Sequence, residues 1–237
     1  MNGPKQRPTP FPRLYELAWE ALSRTRLRTY MYHKYRYMYT PGQLAFLVGC
    51  LDETESVPGG VAEIGCAYGH TTVFLCRHLL ETGPEPKPYL AVDTFSGFTS
   101  SSKQTEARRG RSHPYAGFSR NDARWMRRTL SLNGCEWVKI IESDVESLDF
   151  SSLGPLSFCL VDVDLYGPVH ASIVGAIRQI QPGGIVVVDD CDPTSARWRG
   201  AYEAYMDCAE ELKYSITIEQ SKLGIIRVAE MGPRRVP

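Results

Sequence analysis

The sequence reads as a doubly wound α/β domain built on a mostly parallel sheet. Three observations lead there. Five short segments rich in Val, Ile and Leu run almost without polar interruption, as strands do when both faces of their sheet are covered. Segments of helical periodicity alternate with them from residue 61 onward, the rhythm of strand–helix–strand units. Each of the five runs ends in a glycine turn or a carboxylate, and ligands of such sheets bind beyond the carboxyl ends of the strands.

The elements follow in order. Residues 1–12 hold four Pro and little periodicity, so they read as an extended lead-in. Leu14, Leu17, Ala18, Ala21 and Leu22 are spaced for a helix over 13–29, with Arg24, Arg26 and Arg28 at its C-terminal end, where positive charge suits the helix dipole. Residues 30–39 carry five of the thirteen tyrosines; such rings wall a pocket or pack a cap or a subunit contact. Thr40, Pro41 and Gln43 spell a helix start, with Thr40 as N-cap, Pro41 at N1 and Gln43 closing a capping box. Leu44, Phe46, Leu47, Cys50 and Leu51 give that helix its apolar stripe.

Strands are predicted at 61–65, 89–93, 138–141, 156–162 and 184–189, and helices at 71–80, 119–132, 170–180 and 196–212. Residues 214–218 and 223–228 read as a closing antiparallel hairpin, with Ser221 and Lys222 near its turn. The polar stretch 96–118, with Lys103, Arg108, Arg109 and Arg111, reads as a structureless lid or a disordered insert. Its arginines either select an acidic substrate or stay in water. The chain therefore divides into an N-terminal extension and helical cap, 1–56, and a main domain, 57–230.

Composition narrows the function classes. Hydrophobic residues make up 43% and charged residues 23%, the proportions of a soluble globular protein. Lys plus Arg and Asp plus Glu are 27 each, so overall charge gives no attraction to nucleic acid. No apolar run reaches the roughly 18 residues of a membrane span, and the N-terminus lacks the apolar run of a signal peptide. Seven Cys, an odd number with no C-x-x-C pair, read as free buried thiols of a cytoplasmic protein. The N-terminal helix and tyrosine run either close over the site or join subunits of a homo-oligomer.

The strand ends collect the chemistry. Gly65 and Gly69 bracket a turn whose spacing matches neither a dinucleotide fingerprint nor a P-loop. It suits a nucleoside ligand without pyrophosphate. Asp93, at the end of the second strand, is placed to accept both hydroxyls of a ribose, and Ser143 or Asp144 to reach the base. Asp162, Asp189 and Asp190 end neighbouring strands and should converge. Carboxylates packed together repel unless a cation or a proton compensates, and an all-oxygen set suits Mg²⁺ or another hard divalent ion. Asp164 lies two residues beyond Asp162.

These residues carry a resemblance. Glu63-x-Gly65-x-x-x-Gly69, Asp93-Thr94-Phe95-x-Gly97, Asp162-x-Asp164-x-Tyr166, and Pro182-Gly183-Gly184 ahead of Asp189-Asp190 resemble class I S-adenosylmethionine-dependent methyltransferases of Rossmann-like fold. More narrowly they resemble the macrocin O-methyltransferase (TylF-like) group, which acts on sugar hydroxyls of antibiotics. The catechol and caffeoyl-CoA O-methyltransferases are similar at greater distance. The resemblance spans about residues 40–228 and implies a seven-stranded sheet of order 3-2-1-4-5-7-6 with strand seven antiparallel. It implies a cofactor pocket drawing on Tyr39, Thr40, Glu63, Gly65, Ala67, Tyr68, Thr71, Asp93, Thr94, Ser143, Asp144 and Asp162. Gly42 would stand nearby.

The resemblance further implies divalent-metal ligands at Asp162, Asp189 and Asp190. The catechol-type enzymes carry a Lys just after the first metal carboxylate, and this chain has none there. Proton removal then falls to Asp164, or to Asp162, ahead of His170, His33 or His70. The expected reaction is Mg²⁺-assisted transfer of a methyl group from S-adenosylmethionine to a small-molecule hydroxyl, first of all on a sugar. A catechol-type acceptor and a metal-independent reaction are the alternatives.

Overall fold

The computed structural model describes residues 12–25, 37–83, 85–111 and 118–229. Two compact units divide the chain, Met1–Met38 and Tyr39–Pro237. In the first, helix α1 spans Pro12–Ser23 and leaves Leu14, Leu17 and Leu22 exposed. The helix ends at Ser23, with Arg24 and Thr25 in a turn beyond it. Arg26, Arg28 and the tyrosines at 30, 32 and 35 lie outside the described residues.

The second unit opens with α2, Pro41–Glu53, which starts as its sequence predicts. Thr40 Oγ1 accepts from Gln43 N, and Gln43 Oε1 accepts from Thr40 N at 2.8 Å. The strands are β1 (Gly60–Ile64), β2 (Tyr89–Asp93), β3 (Lys139–Glu142), β4 (Leu156–Val161), β5 (Ile180–Val188), β6 (Ile218–Glu219) and β7 (Leu223–Arg227). Their order in the sheet is β3-β2-β1-β4-β5-β7-β6. The first five run parallel, and β7 is antiparallel to both β5 and β6. This is the class I methyltransferase topology expected from the sequence.

Every residue of β1 and β4 is buried, which is why these runs carry no polar alternation. One face, with Ile64, Val92, Val161 and Val188, packs against α6 (Tyr166–Gln179) and α7 (Arg199–Leu212). Removing each such side chain from water contributes about 1.5–3 kcal/mol. Helix α3, His70–Thr82, buries Thr72, Leu75 and Cys76. Tyr205 of α7 anchors the terminal hairpin: its hydroxyl donates to Thr217 O and Ile225 O and accepts from Thr217 N. All seven cysteines are free and buried. Among the described residues no helix is long and apolar enough to cross a membrane.

Two sequence expectations are corrected. The insert after β2 is not structureless, because Ser100–Arg108 forms helix α4, capped by Thr99. Its buried side chains are Ser102 and Glu106, so no apolar stripe announces it. The helix expected over 119–132 is α5, Ala123–Leu132, started by Asp122 as N-cap.

Candidate active site

The site grows from the turn that leaves β1. Gly65 has φ +93°, and a Cβ there would stand 1.8 Å from Asp162 O. Only glycine lets the turn lie against the end of β4. Gly69 caps α3 at φ +80°, where a Cβ would meet Met126 Sδ at 2.2 Å. Between them Ala67 sits at φ +44°, its N–H donating to Asp93 Oδ2 at 2.8 Å and its carbonyl accepting from Asn121 Nδ2 at 2.7 Å. Asp93 Oδ1 accepts from Phe95 N at 2.8 Å. One carboxylate thus pins both the glycine turn and the chain beyond β2, and each oxygen keeps acceptor capacity for a further donor. Burial raises the Asp93 pKa against those backbone donors. Phe95, Asn121, Asp122, Arg124, Arg127 and Glu142 line an open cleft of about 410 Å³ at the ends of β2 and β3.

The acidic groups gather beside this turn. The parallel pairing of β1, β4 and β5 brings Asp162 N to Ile64 O and Asp189 N to Val161 O, each at 2.8 Å. Tyr39 Oη donates to Asp162 Oδ2 at 2.9 Å. Asp164 and Asp190 stand at φ +60° and +59°, left-handed positions that cost a non-glycine residue about 1–3 kcal/mol and cluster at functional sites. After burial, the Asp190 charge is what acts most strongly on Asp164. Burial, then the neighbouring aspartates, hold the pKa values of Asp162 and Asp164 well above the ordinary carboxylate range. Burial and Asp190 push Asp189 up to about 6 against the pull of Lys222.

The match to known families falls on this region. The family model described as "Methyltransferase domain" matches residues 62–191, from β1 through the end of β5. The chain belongs to this methyltransferase family. Its fold and family make it a class I S-adenosylmethionine-dependent methyltransferase. Among solved structures, the methyltransferase is similar to the O-methyltransferase NovP, with TM-score 0.69 at 15% identity over 83% of each chain. It is also similar to the calicheamicin methyltransferase CalS11, with TM-score 0.65 at 16% identity over 96% of this chain and 98% of that one. An apo structure of CalS11, described as a TDP-rhamnose 3'-O-methyltransferase, gives TM-score 0.61 at 15% identity, covering 94% and 96%. These likenesses concern the fold. Comparison with curated protein sequences finds no match.

The methyltransferase distributes the other expected cofactor residues unevenly. Gly65, Ala67, Tyr68, Asp93 and Thr94 lie on or beside the glycine turn, Thr94 Oγ1 donating to Gly97 O. Thr71 is half-buried at the start of α3. Glu63 instead points beneath α3, where it accepts from Thr72 Oγ1 at 2.6 Å and Tyr89 Oη at 2.8 Å. Burial pushes it up to about 7. Ser143 N donates to Asp93 O, while the Asp144 carboxylate caps the short turn Val145–Ser147.

The expected metal centre gains no support from the structure. Asp162, Asp189 and Asp190 do converge, but among the described residues no group of three or more His, Cys, Asp or Glu is disposed to hold a metal ion. The cation facing them is Lys222, whose Nζ donates to Asp189 Oδ2 at 2.7 Å and Asp190 Oδ1 at 3.4 Å. As arranged, these residues do not fit a hard divalent ion, since an ammonium group already engages two of the three ligands. Lys222 reads from sequence as a turn residue. Only the antiparallel pairing of β7 with β5 carries it to the carboxylates.

The basic segment is structural. Arg111 pairs with the buried Glu106 and with Glu203 of α7, and Arg109 stacks 3.3 Å over the Tyr166 ring. Arg108 is exposed. His170 lies on α6, stacked on Tyr166 and 3.4 Å from Glu211; His70 is exposed, and His33 is outside the described residues.

Proposed function

We propose that this methyltransferase acts on a hydroxyl group of a small molecule, first of all a sugar hydroxyl of a natural product. The single observation carrying the proposal is the contact of Gly65 with the Asp162 backbone. It sets the turn suited to the cofactor against an acidic cluster suited to activating an oxygen nucleophile. The sugar preference is supported by likeness to the O-methyltransferase NovP and to the TDP-rhamnose 3'-O-methyltransferase. The narrower placing with the macrocin group rests on the sequence motifs.

When bound, S-adenosylmethionine supplies an electrophilic methyl on a sulfonium; as the O–C bond forms, the C–S electron pair returns to sulfur. The chain's own groups do the rest. Asp93 with Ala67 and Phe95 holds the pocket that orients the nucleoside. Asp164 is the base that removes the hydroxyl proton, with Asp162 as the alternative. Burial, then Asp190, raises the Asp164 pKa, which makes the carboxylate a stronger proton acceptor than an ordinary aspartate. The negative cluster also suits a sulfonium better than the neutral thioether left after transfer.

The magnesium-assisted form of the reaction is the reading that these side chains favour less. It draws on Asp189 Oδ1, which is buried without a hydrogen-bond partner among the described residues, and it needs Lys222 displaced. EDTA treatment with Mg²⁺ add-back separates the two. The function itself is tested by incubating the enzyme with methyl-labelled S-adenosylmethionine and a panel of sugar nucleotides, glycosides and catechols. Label in an O-methyl ether of a sugar supports the proposal. Label on nitrogen or carbon, or confined to catechols, counts against it.

A further inference from the structure

We propose that Lys222 is a tethered cation that holds the acidic cluster in place of a divalent ion and keeps such ions out. The inference deepens the reading above and rests on it for the role of the site, but it is carried by the side-chain arrangement.

Lys222 engages two of the three carboxylates that the family resemblance assigns to a metal and lies against the residue that holds the third. It touches Asp189 and Asp190 directly. Its Nζ also lies 4.8 Å over the ring of Tyr39, whose hydroxyl holds Asp162. Its ammonium is thus held between two carboxylates.

The lysine is delivered by a fixed turn. Lys222 O accepts from Cys191 N at 2.7 Å, tying it to the chain just after Asp190. The carbonyl of Gln220 accepts from Gln43 Nε2 at 3.1 Å, tying the turn to the capping box of α2. Gln220 and Ser221 hold φ of +49° and +67°. An ammonium so held repels any ion approaching the same oxygens. Asp189 Oδ1, buried and without a hydrogen-bond partner among the described residues, is the acceptor that an ion would gain once the lysine is gone.

Mn²⁺ binding, read by electron paramagnetic resonance, tests the inference without needing the acceptor. S-adenosylhomocysteine binding by calorimetry on the same samples reports an intact pocket. The wild type and Lys222→Arg should leave Mn²⁺ free. Lys222→Met should bind one Mn²⁺ at the acidic cluster, on the order of a hundredfold more tightly than wild type, and adding Asp189→Asn should abolish it. Wild type binding Mn²⁺ as tightly as Lys222→Met overturns the proposal. So does a Lys222→Met protein that binds S-adenosylhomocysteine but no Mn²⁺, or Lys222→Arg binding the ion. Loss of S-adenosylhomocysteine binding by wild type strikes the methyltransferase reading instead, and its Mn²⁺ result still decides the role of Lys222.

Discussion

The Tyr39 hydroxyl donates a 2.9 Å hydrogen bond to Asp162 across 123 positions of sequence. It joins the first residue of the main unit to the end of the central strand β4. Tyr39 is 1% exposed. Burial, then the charge of Asp162, holds its phenol protonated well above the ordinary tyrosine range. Tyr39→Phe keeps the ring beneath Lys222 and removes only the donor. A buried acceptor short of a partner costs about 1–3 kcal/mol. Urea denaturation should show a loss of that order, and a variant as stable as wild type would contradict the assigned role.

Asp93 supports the glycine turn through two backbone donors. Asp93→Asn presents an amide N–H₂ to one of them. Affinity for S-adenosylhomocysteine should fall by about tenfold or more. Calorimetric titration reads this directly. Unchanged affinity would remove Asp93 from the pocket.

Glu63 gives a pH signature. Its folded pKa is about 7 against an ordinary value of 4.5, chiefly through burial. The folded state binds this proton more tightly than the unfolded one. Stability from this group is therefore fully present below pH 4.5 and is lost as pH rises through about 7. The loss amounts to about 3 kcal/mol at most. Glu63→Gln, which stays neutral, should flatten the stability profile across that window. A variant with the wild-type slope between pH 5 and 7 would show that Glu63 ionises freely.

Arg111 neutralises Glu106, which is 1% exposed and also caps α6 through Tyr166 N. Arg111→Ala leaves a buried charge unpaired, a defect of about 3–5 kcal/mol. Chemical denaturation should report a loss of that size. A change below about 1 kcal/mol, the range of surface ion pairs, would mean that the basic segment stays in water after all.

The sheet was legible because strands buried on both faces write themselves as Val- and Ile-rich runs, and Gly65, Asp93 and Asp162 mark their ends. The capping box at Thr40 and Gln43 was legible for a similar reason: its chemistry is local. What escaped has no local signal. Helix α4 buries Ser102 and Glu106, so a core-facing segment looks like a polar loop. Asp144 reads as a contact to the base, and the structure gives it a capping bond to Glu146 N. Lys222 meets Asp189 only through strand order, 33 residues away, so spacing suggested a free acidic triad in want of a metal.

The most direct measurement compares wild type and Asp164→Asn for methyl transfer to the same hydroxyl acceptor, with S-adenosylhomocysteine affinity measured alongside. The account predicts that turnover falls by about 10²–10⁴-fold, the usual worth of a general base, while cofactor affinity holds. Full turnover by Asp164→Asn, with Asp162→Asn equally active, would contradict it.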